Sequence, residues 1–495
     1  TQGICNFIHG LEIKNPKVII GYDSRNNGKY LSKVVSDIFT ANNIKTYIFD
    51  EIKPTPIISF GVRELSCVCG IVITASHNPP EYNGYKVYWS DGGQIVPPID
   101  KKLIDSISRT NYNEINFAGN HNLKTTDCNK IEKEYLKKLS DYLKKIEIKK
   151  EKKKLKVVFT PIHGTSYKMI PLLLEDYGFE YKTVESQMIP DGNFSTVKSP
   201  NPEEAEALTH GIDLAKKYNY DLVVGTDPDS DRFGIAFKHD DKYILLNGNQ
   251  TMAIMLDYLL KKIKTNKKNS FIASTVVSTP MIEKIAKQNN VEIKLSLTGF
   301  KWIGKMINDF SQNHFIAGGE ESYGFLFGDF VRDKDAIASS LLICEIFNEL
   351  KEKNKSFLSI LTDCYIKYGF YNEKLVTKKL DGLNGSKKID LIIDSFRKNP
   401  PKKIGNSDVL FKEDYLSGEK LNLKTKKTEK IKLPKSNLII LKCEDETSVC
   451  IRPSGTEPKI KYYFSVNSSL KSSDHYIKIK SDLDSKLNQL IKELV

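Results

Sequence analysis

Three aspartates at alternating positions, Asp227, Asp229 and Asp231, follow the apolar run Leu222-Val223-Val224. Carboxylates this close repel one another, and an oxygen-only set suits a hard cation such as Mg²⁺. An EF-hand loop also opens Asp-x-Asp-x-Asp, but its Gly and Glu positions are Arg232 and Lys238 here. A second polar stretch, Thr74-Ala75-Ser76-His77-Asn78-Pro79, follows the apolar run Gly70-Ile71-Val72-Ile73. A buried strand ending there presents Ser76 at the carboxyl edge of a sheet, where open α/β folds bind ligands. Hydrolase chemistry is not expected: no Gly-x-Ser-x-Gly elbow surrounds Ser76, and His77 is too near in sequence to orient easily as its base. Between Arg452 and Lys459 the chain offers a guanidinium, an ammonium, the hydroxyls of Ser454 and Thr456 and the flexible Gly455. Such a turn can wrap a phosphate. Glu320, Glu321 and Ser322, set between glycines, can bond sugar hydroxyls. Gly299 to Lys305 matches a P-loop for seven positions, but the eighth is Met306, so the stretch reads as the start of an amphipathic helix.

Each of these turns needs an element to deliver it. Lys17 to Asp23 reads as a strand running into Ser24-Arg25, residues 28 to 42 as a helix, and Thr46 to Phe49 as a strand. A helix opens at Pro54-Thr55-Pro56, and the strand before Ser76 comes next. Residues 129 to 148 read as a charged amphipathic linker helix. The alternation then restarts twice. One restart runs from Lys156 through a helix beginning near Pro202-Glu203-Glu204 to the aspartates; the other runs from Ser270 to the Glu320 turn and helices over 335 to 368. Alternating strands and helices predict largely parallel α/β sheets. After a helix at 387 to 398, short β runs flank the Arg452 turn and a helix over 473 to 493 closes the chain, which predicts a small α+β domain.

The chain of 495 residues carries a net charge of +13. Of its 75 Lys and Arg residues only seven are Arg (Arg25, Arg63, Arg109, Arg232, Arg332, Arg397 and Arg452), so 68 are Lys. The densest basic run, Lys144 to Lys156, lacks interleaved aromatics and reads as a solvated helix end and linker, so nucleic-acid recognition is not expected. Lys424 to Lys432 reads as a surface loop. A chain so poor in arginine is expected to keep it where a flat fork of donors matters. The eight cysteines form no metal framework and read as reduced, buried thiols. No stretch approaches the ~20 apolar residues of a membrane span.

Together, and in this order, the four turns closely resemble those of the α-D-phosphohexomutase family. Thr74–Pro79 resembles its phosphoserine loop, Asp227–Arg232 its metal loop, Gly319–Gly324 its sugar loop and Arg452–Lys459 its phosphate loop. Asn193 to Val197 and Gly328 to Asp335 favour the phosphoglucomutase and phosphopentomutase branch. The resemblance implies three consecutive α/β domains with mixed sheets plus a C-terminal α+β domain, heart-shaped around a central cleft. The expected divisions are a phosphoserine domain at 1–150, a metal-binding domain at 151–266, a sugar-binding domain at 267–385 and a phosphate-binding domain at 386–495.

It implies that Ser76 carries a phosphoryl group to a sugar monophosphate and takes the other phosphate back from a bisphosphate. Asp227, Asp229 and Asp231 would hold Mg²⁺ against Ser76. Glu320 and Ser322 would grip hydroxyls, and Arg452, Ser454, Gly455, Thr456 and Lys459 a phosphate. His77 and Arg232 would contact substrate, with Arg25 and Arg332 as further candidates. Lys86 and Lys334 both match family lysines for the general acid/base. The expected protein is a cytoplasmic monomer or homodimer that binds neither nucleic acid nor membrane. It would convert glucose 1-phosphate to glucose 6-phosphate with a sugar bisphosphate as activating primer. A phosphopentomutase, a sugar bisphosphate synthase and an inactive sugar-phosphate-binding protein are the alternatives. The family's Gly-rich loop with an Arg, ahead of the first long helix, is not in this sequence, which begins Thr1-Gln2-Gly3 and is read as starting past that point.

Overall fold

The computed structural model describes residues 1–126, 128–263, 269–380, 385–454 and 458–495. The chain divides into two compact units: Thr1–Ser274 with Gln288–Lys294 and Gly299–Phe357, and Thr275–Lys287 with Leu295–Thr298 and Leu358–Val495.

In the first unit, the strands that lead to the polar turns are apolar on both faces. Val18, Ile19, Ile20, Ile71, Val72, Leu222 and Val223 are all fully buried, as befits strands covered by helices on both sides. The first sheet has the order Tyr85–Trp89, Cys69–Ile73, Lys17–Tyr22, Lys45–Ile48, Lys124–Thr125. Its strands are parallel except Tyr85–Trp89, which runs antiparallel with Tyr88 opposite Gly70 and Lys86 opposite Val72. The second sheet has the order Lys242–Leu246, Phe233–His239, Leu222–Thr226, Lys156–Thr160, Glu180–Thr183. Its last three strands are parallel and its first two antiparallel additions. In a third sheet, Ser270–Thr275 lies parallel to His314–Gly319, which pairs antiparallel with Phe325–Phe327. The second unit is built on an antiparallel sheet that includes Phe370–Lys379, Ser407–Asp414, Ile439–Cys443, Ser448–Pro453 and Lys459–Ser468. The helices Gly385–Lys398 and Tyr476–Leu494 pack on it. Three mixed α/β sheets followed by an α+β part match the expected fold class.

Residues 329–336 bind the first unit together. The guanidinium of Arg63 donates to the carbonyls of Asp329 (2.7 Å) and Phe330 (3.0 Å). The amide of Arg332 donates to Ser59 Oγ at 3.1 Å, and that of Ala336 to the Ser230 carbonyl at 3.2 Å. Asp335 caps the helix Ala336–Glu352 through the Ala338 amide and accepts from the Tyr135 hydroxyl at 2.7 Å.

Four local expectations need correction. The helix near 202–204 starts later, at Thr209, after a 3₁₀ turn over Ala205–Leu208. Asn201 turns the chain by accepting from the Glu203 amide at 3.1 Å, and the Glu203 carboxylate is taken by Arg232 at 2.5 Å. The helix Asn129–Lys145 is no free linker: Ile131, Tyr135, Leu139 and Leu143 are buried, and Tyr135 meets Phe60 edge-on with ring centroids 5.8 Å apart. The Lys424–Lys432 stretch is half of a hairpin, with strands Glu419–Asn422 and Thr428–Lys430 paired. Finally, the Lys144–Lys156 run is not solvated throughout. Lys153 is buried, with its Nζ 3.0 Å from Glu345 Oε1, while Glu345 Oε2 has no hydrogen-bond partner among the described residues.

That pair makes a prediction. Lys153→Met leaves the Glu345 carboxylate buried and unpaired, and is expected to destabilise the protein by about 3–5 kcal/mol. Adding Glu345→Leu should recover most of the loss, because an apolar pair of similar volume avoids the desolvation of both charges. Urea unfolding of the single and double variants checks this. A double variant as unstable as the single one would contradict it.

Candidate active site

Ser76 stands three residues beyond its strand with φ 52°, in the left-handed region that few non-glycine residues occupy. The loop around it pins this conformation. The Ser76 amide donates to Thr74 Oγ1 at 2.8 Å, and Thr74 Oγ1 donates to the buried Asp23 at 2.6 Å. Burial pushes the Asp23 carboxyl up to about 7. Arg25 spreads its two terminal nitrogens over the carbonyls of Ser76 (2.6 Å), Asn78, Pro79 (2.8 Å) and Tyr82 (2.8 Å). Its fork therefore holds the backbone of the Ser76 loop, where sequence reasoning named Arg25 for phosphate or cleft contacts. Thr74 and Asp23 carry no signal of this role in the sequence beyond position: Asp23 directly follows its strand, as Asp227 follows another.

The Ser76 hydroxyl donates to Asp227 Oδ2 at 2.8 Å. Asp227 Oδ1 accepts from the amides of Asp231 (3.0 Å) and Arg232 (2.9 Å), so its own turn orients it. Asp227, Asp229 and Asp231 are buried and offer carboxylate oxygens within 4.8 Å of one another. Among the described residues Asp229 Oδ1 and Asp231 Oδ1 are buried with no hydrogen-bond partner, and Arg232 Nε stands 3.7 Å from the latter. Buried acceptors left unpaired beside each other are costly unless a cation takes them. This donor set fits a metal site for a hard cation such as Mg²⁺. Burial and the neighbouring Asp229 and Asp231 push the Asp227 carboxyl well above the usual range. Asp231 is pulled well below it: burial opposes, but Lys334, Lys86 and Arg232 outweigh it.

Both candidate lysines reach this cluster. Lys86 Nζ lies 2.6 Å from Asp229 Oδ2 and 3.0 Å from Asp231 Oδ2. Lys334 Nζ lies 3.1 Å from Asp231 Oδ2 and 3.0 Å from Asp333 Oδ1. Despite burial, these carboxylates hold both ammonium groups above their ordinary value. Thr55, noticed in sequence only as a helix start, anchors Asp229: its hydroxyl donates to Oδ2 at 3.0 Å and its amide to the backbone carbonyl at 2.8 Å. His77 Nδ1 is 3.3 Å from Ser76 Oγ, closer than its place in sequence suggested. Burial, with Arg232 next, pushes the His77 ring down to about 3.

The Glu320 turn completes the cluster in the first unit. Glu320 is buried and accepts from the Gly299 amide at 2.8 Å, and Arg232 is bridged to Gly324 across the same turn. Ser322 lies in that turn, half-buried. Arg332 uses its guanidinium on the carbonyls of its own segment, Asp329 and Val331. In the second unit, Arg452 donates to Thr298 Oγ1 at 2.5 Å, and the Ser454 amide donates to the Lys459 carbonyl at 2.7 Å. Gly455 and Thr456 lie outside the described residues.

Three family models match the chain. They are the phosphoglucomutase/phosphomannomutase alpha/beta/alpha domains I, II and III, over residues 1–114, 100–240 and 247–368. The chain belongs to this family. Among curated relatives of this phosphoglucomutase/phosphomannomutase family, it is 38% identical over 471 residues to the phosphoglucomutase of Staphylococcus aureus strain MSSA476, covering 94% of this chain and 84% of the relative. It is 37% identical over 496 residues to that of strain MRSA252, covering 99% and 87%. Solved structures share the fold. The Paramecium pp63/parafusin (phosphoglucomutase) in its open form has a TM-score of 0.68 at 17% identity, covering 99% of this chain and 91% of that one. A phosphoglucomutase/phosphomannomutase family protein of Burkholderia thailandensis has a TM-score of 0.67 at 17% identity, covering 99% and 92%. The resemblance read from the four turns is borne out, and the chain is an enzyme of phosphoglucomutase-type phosphoryl transfer.

Proposed function

We propose that the enzyme interconverts glucose 1-phosphate and glucose 6-phosphate through a phosphoserine at Ser76 and a glucose bisphosphate intermediate. The observation that carries this reading is the Ser76 hydroxyl, 2.8 Å from Asp227 in a buried triad with unpaired oxygens. The name of relatives 37–38% identical supports glucose as the sugar. A sugar bisphosphate primer phosphorylates Ser76. The phosphoryl group then passes from Ser76 Oγ to the free hydroxyl of the sugar monophosphate. Lys86 or Lys334, held as the ammonium, donates a proton to the Ser76 oxygen as that oxygen leaves and takes up the proton of the attacking sugar hydroxyl in its place. After the bisphosphate turns over, Ser76 attacks the other phosphoryl group, and the freed sugar oxygen takes the proton back.

Asp227, Asp229 and Asp231 are the residues that would hold Mg²⁺. Bound there, the ion neutralises charge on the transferring phosphoryl oxygens. Glu320 and Ser322 orient sugar hydroxyls, with His77 and Arg232 beside them. Arg452, Ser454 and Lys459 supply the donors of a phosphate-binding turn, together with Gly455 and Thr456. Functionally we divide the chain into phosphoserine, metal, sugar and phosphate domains at 1–150, 151–266, 267–385 and 386–495. A cytoplasmic location suits eight buried cysteines with no disulfide between them among the described residues. No described helix is long and apolar enough to cross a membrane.

The test is a rate comparison on glucose 1-phosphate and ribose 1-phosphate with Mg²⁺ and glucose 1,6-bisphosphate, paired with intact-mass analysis. Faster turnover of the glucose ester is expected, together with a single phosphate on Ser76 that substrate removes. Preference for ribose 1-phosphate would reassign the sugar. No turnover of either ester would end the mutase reading and leave a sugar-phosphate-binding protein.

A further inference from the structure

We infer that Asp333 is a positioning residue for Lys334, and that it acts by referring Lys334 to Tyr88, on the strand that also carries Lys86. The inference rests on the mutase reading above.

Asp333 is 1% exposed and Tyr88 is fully buried. The two carboxylate oxygens of Asp333 face different ways. Oδ2 accepts from the Tyr88 hydroxyl at 2.5 Å and from Gln94 Nε2 at 2.7 Å. Oδ1 accepts from the Lys334 backbone amide at 2.8 Å and from Lys334 Nζ at 3.0 Å. One side of the carboxylate is thus fixed to the first sheet, and the other fixes both the backbone and the head group of Lys334. A flexible lysine has four rotatable carbons to place, and hydrogen bonds at its two ends remove most of that freedom. The path of the stem is cleared as well, because a Cβ on Gly324 would overlap it.

The strand Tyr85–Trp89 makes this placement specific. Lys86 and Tyr88 are two apart, so they share one face of the strand. That strand pairs directly with the one leading to Ser76. From this face Lys86 reaches Asp229 and Asp231, and Tyr88 reaches Asp333. Lys334, arriving from a segment some 250 residues further along, is set against Asp231 by the same strand. Both lysines therefore keep one spacing relative to the Ser76 loop. Nothing in the linear sequence couples Tyr88 to Asp333; the alternating Arg332-Asp333-Lys334-Asp335 only marks the segment as unusually charged.

The experiment is steady-state kinetics on glucose 1-phosphate with Asp333→Asn, Tyr88→Phe and the double variant, alongside thermal unfolding of each. Asn keeps the shape of Asp333 but puts an amide N–H₂ against one of its two sets of donors. The kcat of Asp333→Asn is expected to fall about 100-fold, the scale set by misplacing a reacting group by an ångström. KM should stay within about twofold, because binding is not what is lost. Tyr88→Phe removes one hydroxyl, leaves Gln94 in place, and should lower kcat about tenfold. The two act through one carboxylate, so the double variant should fall no more than about twofold below Asp333→Asn alone. Losses that multiply, a loss seen only in KM, or an unchanged kcat in either single variant would overturn the inference. Should Asp333→Asn fail to fold, Tyr88→Phe decides alone, and a Tyr88→Phe loss explained by unfolding at the assay temperature would also overturn the inference. An inactive wild-type protein would remove the mutase reading and this inference with it. An active wild type indifferent to Asp333 would remove only the inference.

Discussion

Ser76→Ala is expected to abolish turnover, by on the order of 10⁴-fold or more, because no other group can take its place in carrying the phosphoryl. The variant should show no phosphate by intact mass after incubation with the bisphosphate. Its fold should survive. The side chain is half-buried, and its one strong bond is the 2.8 Å contact to Asp227. Losing a single hydrogen bond costs about 1 kcal/mol, or about 2–4 °C in unfolding temperature for domains of this size. The strained φ of 52° is held by Thr74 and Arg25, which bond the backbone and are untouched by the change. A Ser76→Ala protein with wild-type turnover would move the nucleophile elsewhere.

Asp227→Asn is the second large effect, and it separates metal chemistry from architecture. An asparagine can keep the shape of this site. Its carbonyl oxygen can accept the Asp231 and Arg232 amides at 3.0 and 2.9 Å, and its amide can face a Ser76 hydroxyl turned to accept. Removing one of three mutually repelling buried carboxylates leaves the metal-free protein about as stable as wild type. Wild-type protein at 100 times the dissociation constant for Mg²⁺ should gain about 2.7 kcal/mol, an upward shift of about 5–10 °C. Asp227→Asn should lose most of that shift and about 10³-fold in turnover. Calorimetric scans with and without Mg²⁺, beside the kinetics, measure both. A variant that keeps the Mg²⁺-dependent shift would show that Asp227 is not a ligand.

The parts of this molecule that local physics governs were legible in its sequence. Gly70–Ile73 and Leu222–Val224 are apolar runs cut by Asp, Asn and Pro, so strand, break and exposed turn could be read together. The acidic triad was legible because charges that close demand an explanation. Arg25 was half legible: arginine scarcity marked it, but only the folded loop shows its fork spent on four carbonyls. The strand Tyr85–Trp89 was missed because its aromatic residues fall on both faces and hide the alternation. Lys153 was misread because a lysine-rich run looks solvated until its partner Glu345, on a distant helix, is known. Tyr88 with Asp333 and Tyr135 with Asp335 leave no trace in spacing, since each pair joins residues 200 or more apart.

The segment from Asp329 to Ala336 sends consecutive residues to different hosts. Asp329 and Phe330 go to Arg63, Arg332 to Ser59, Asp333 to Tyr88, Lys334 to Asp231, Asp335 to Tyr135 and Ala336 to Ser230. Exchange of the Asp333, Lys334 or Asp335 side chain disturbs only that residue's hosts, because Asp329, Phe330, Arg332 and Ala336 are held by their main-chain groups. Gain or loss of a single residue would put every later group, main chain or side chain, before the wrong host at once. Evolution can therefore edit the letters of this stretch but not its length. Among homologous chains, insertions and deletions should gather in loops on either side and stop at its borders.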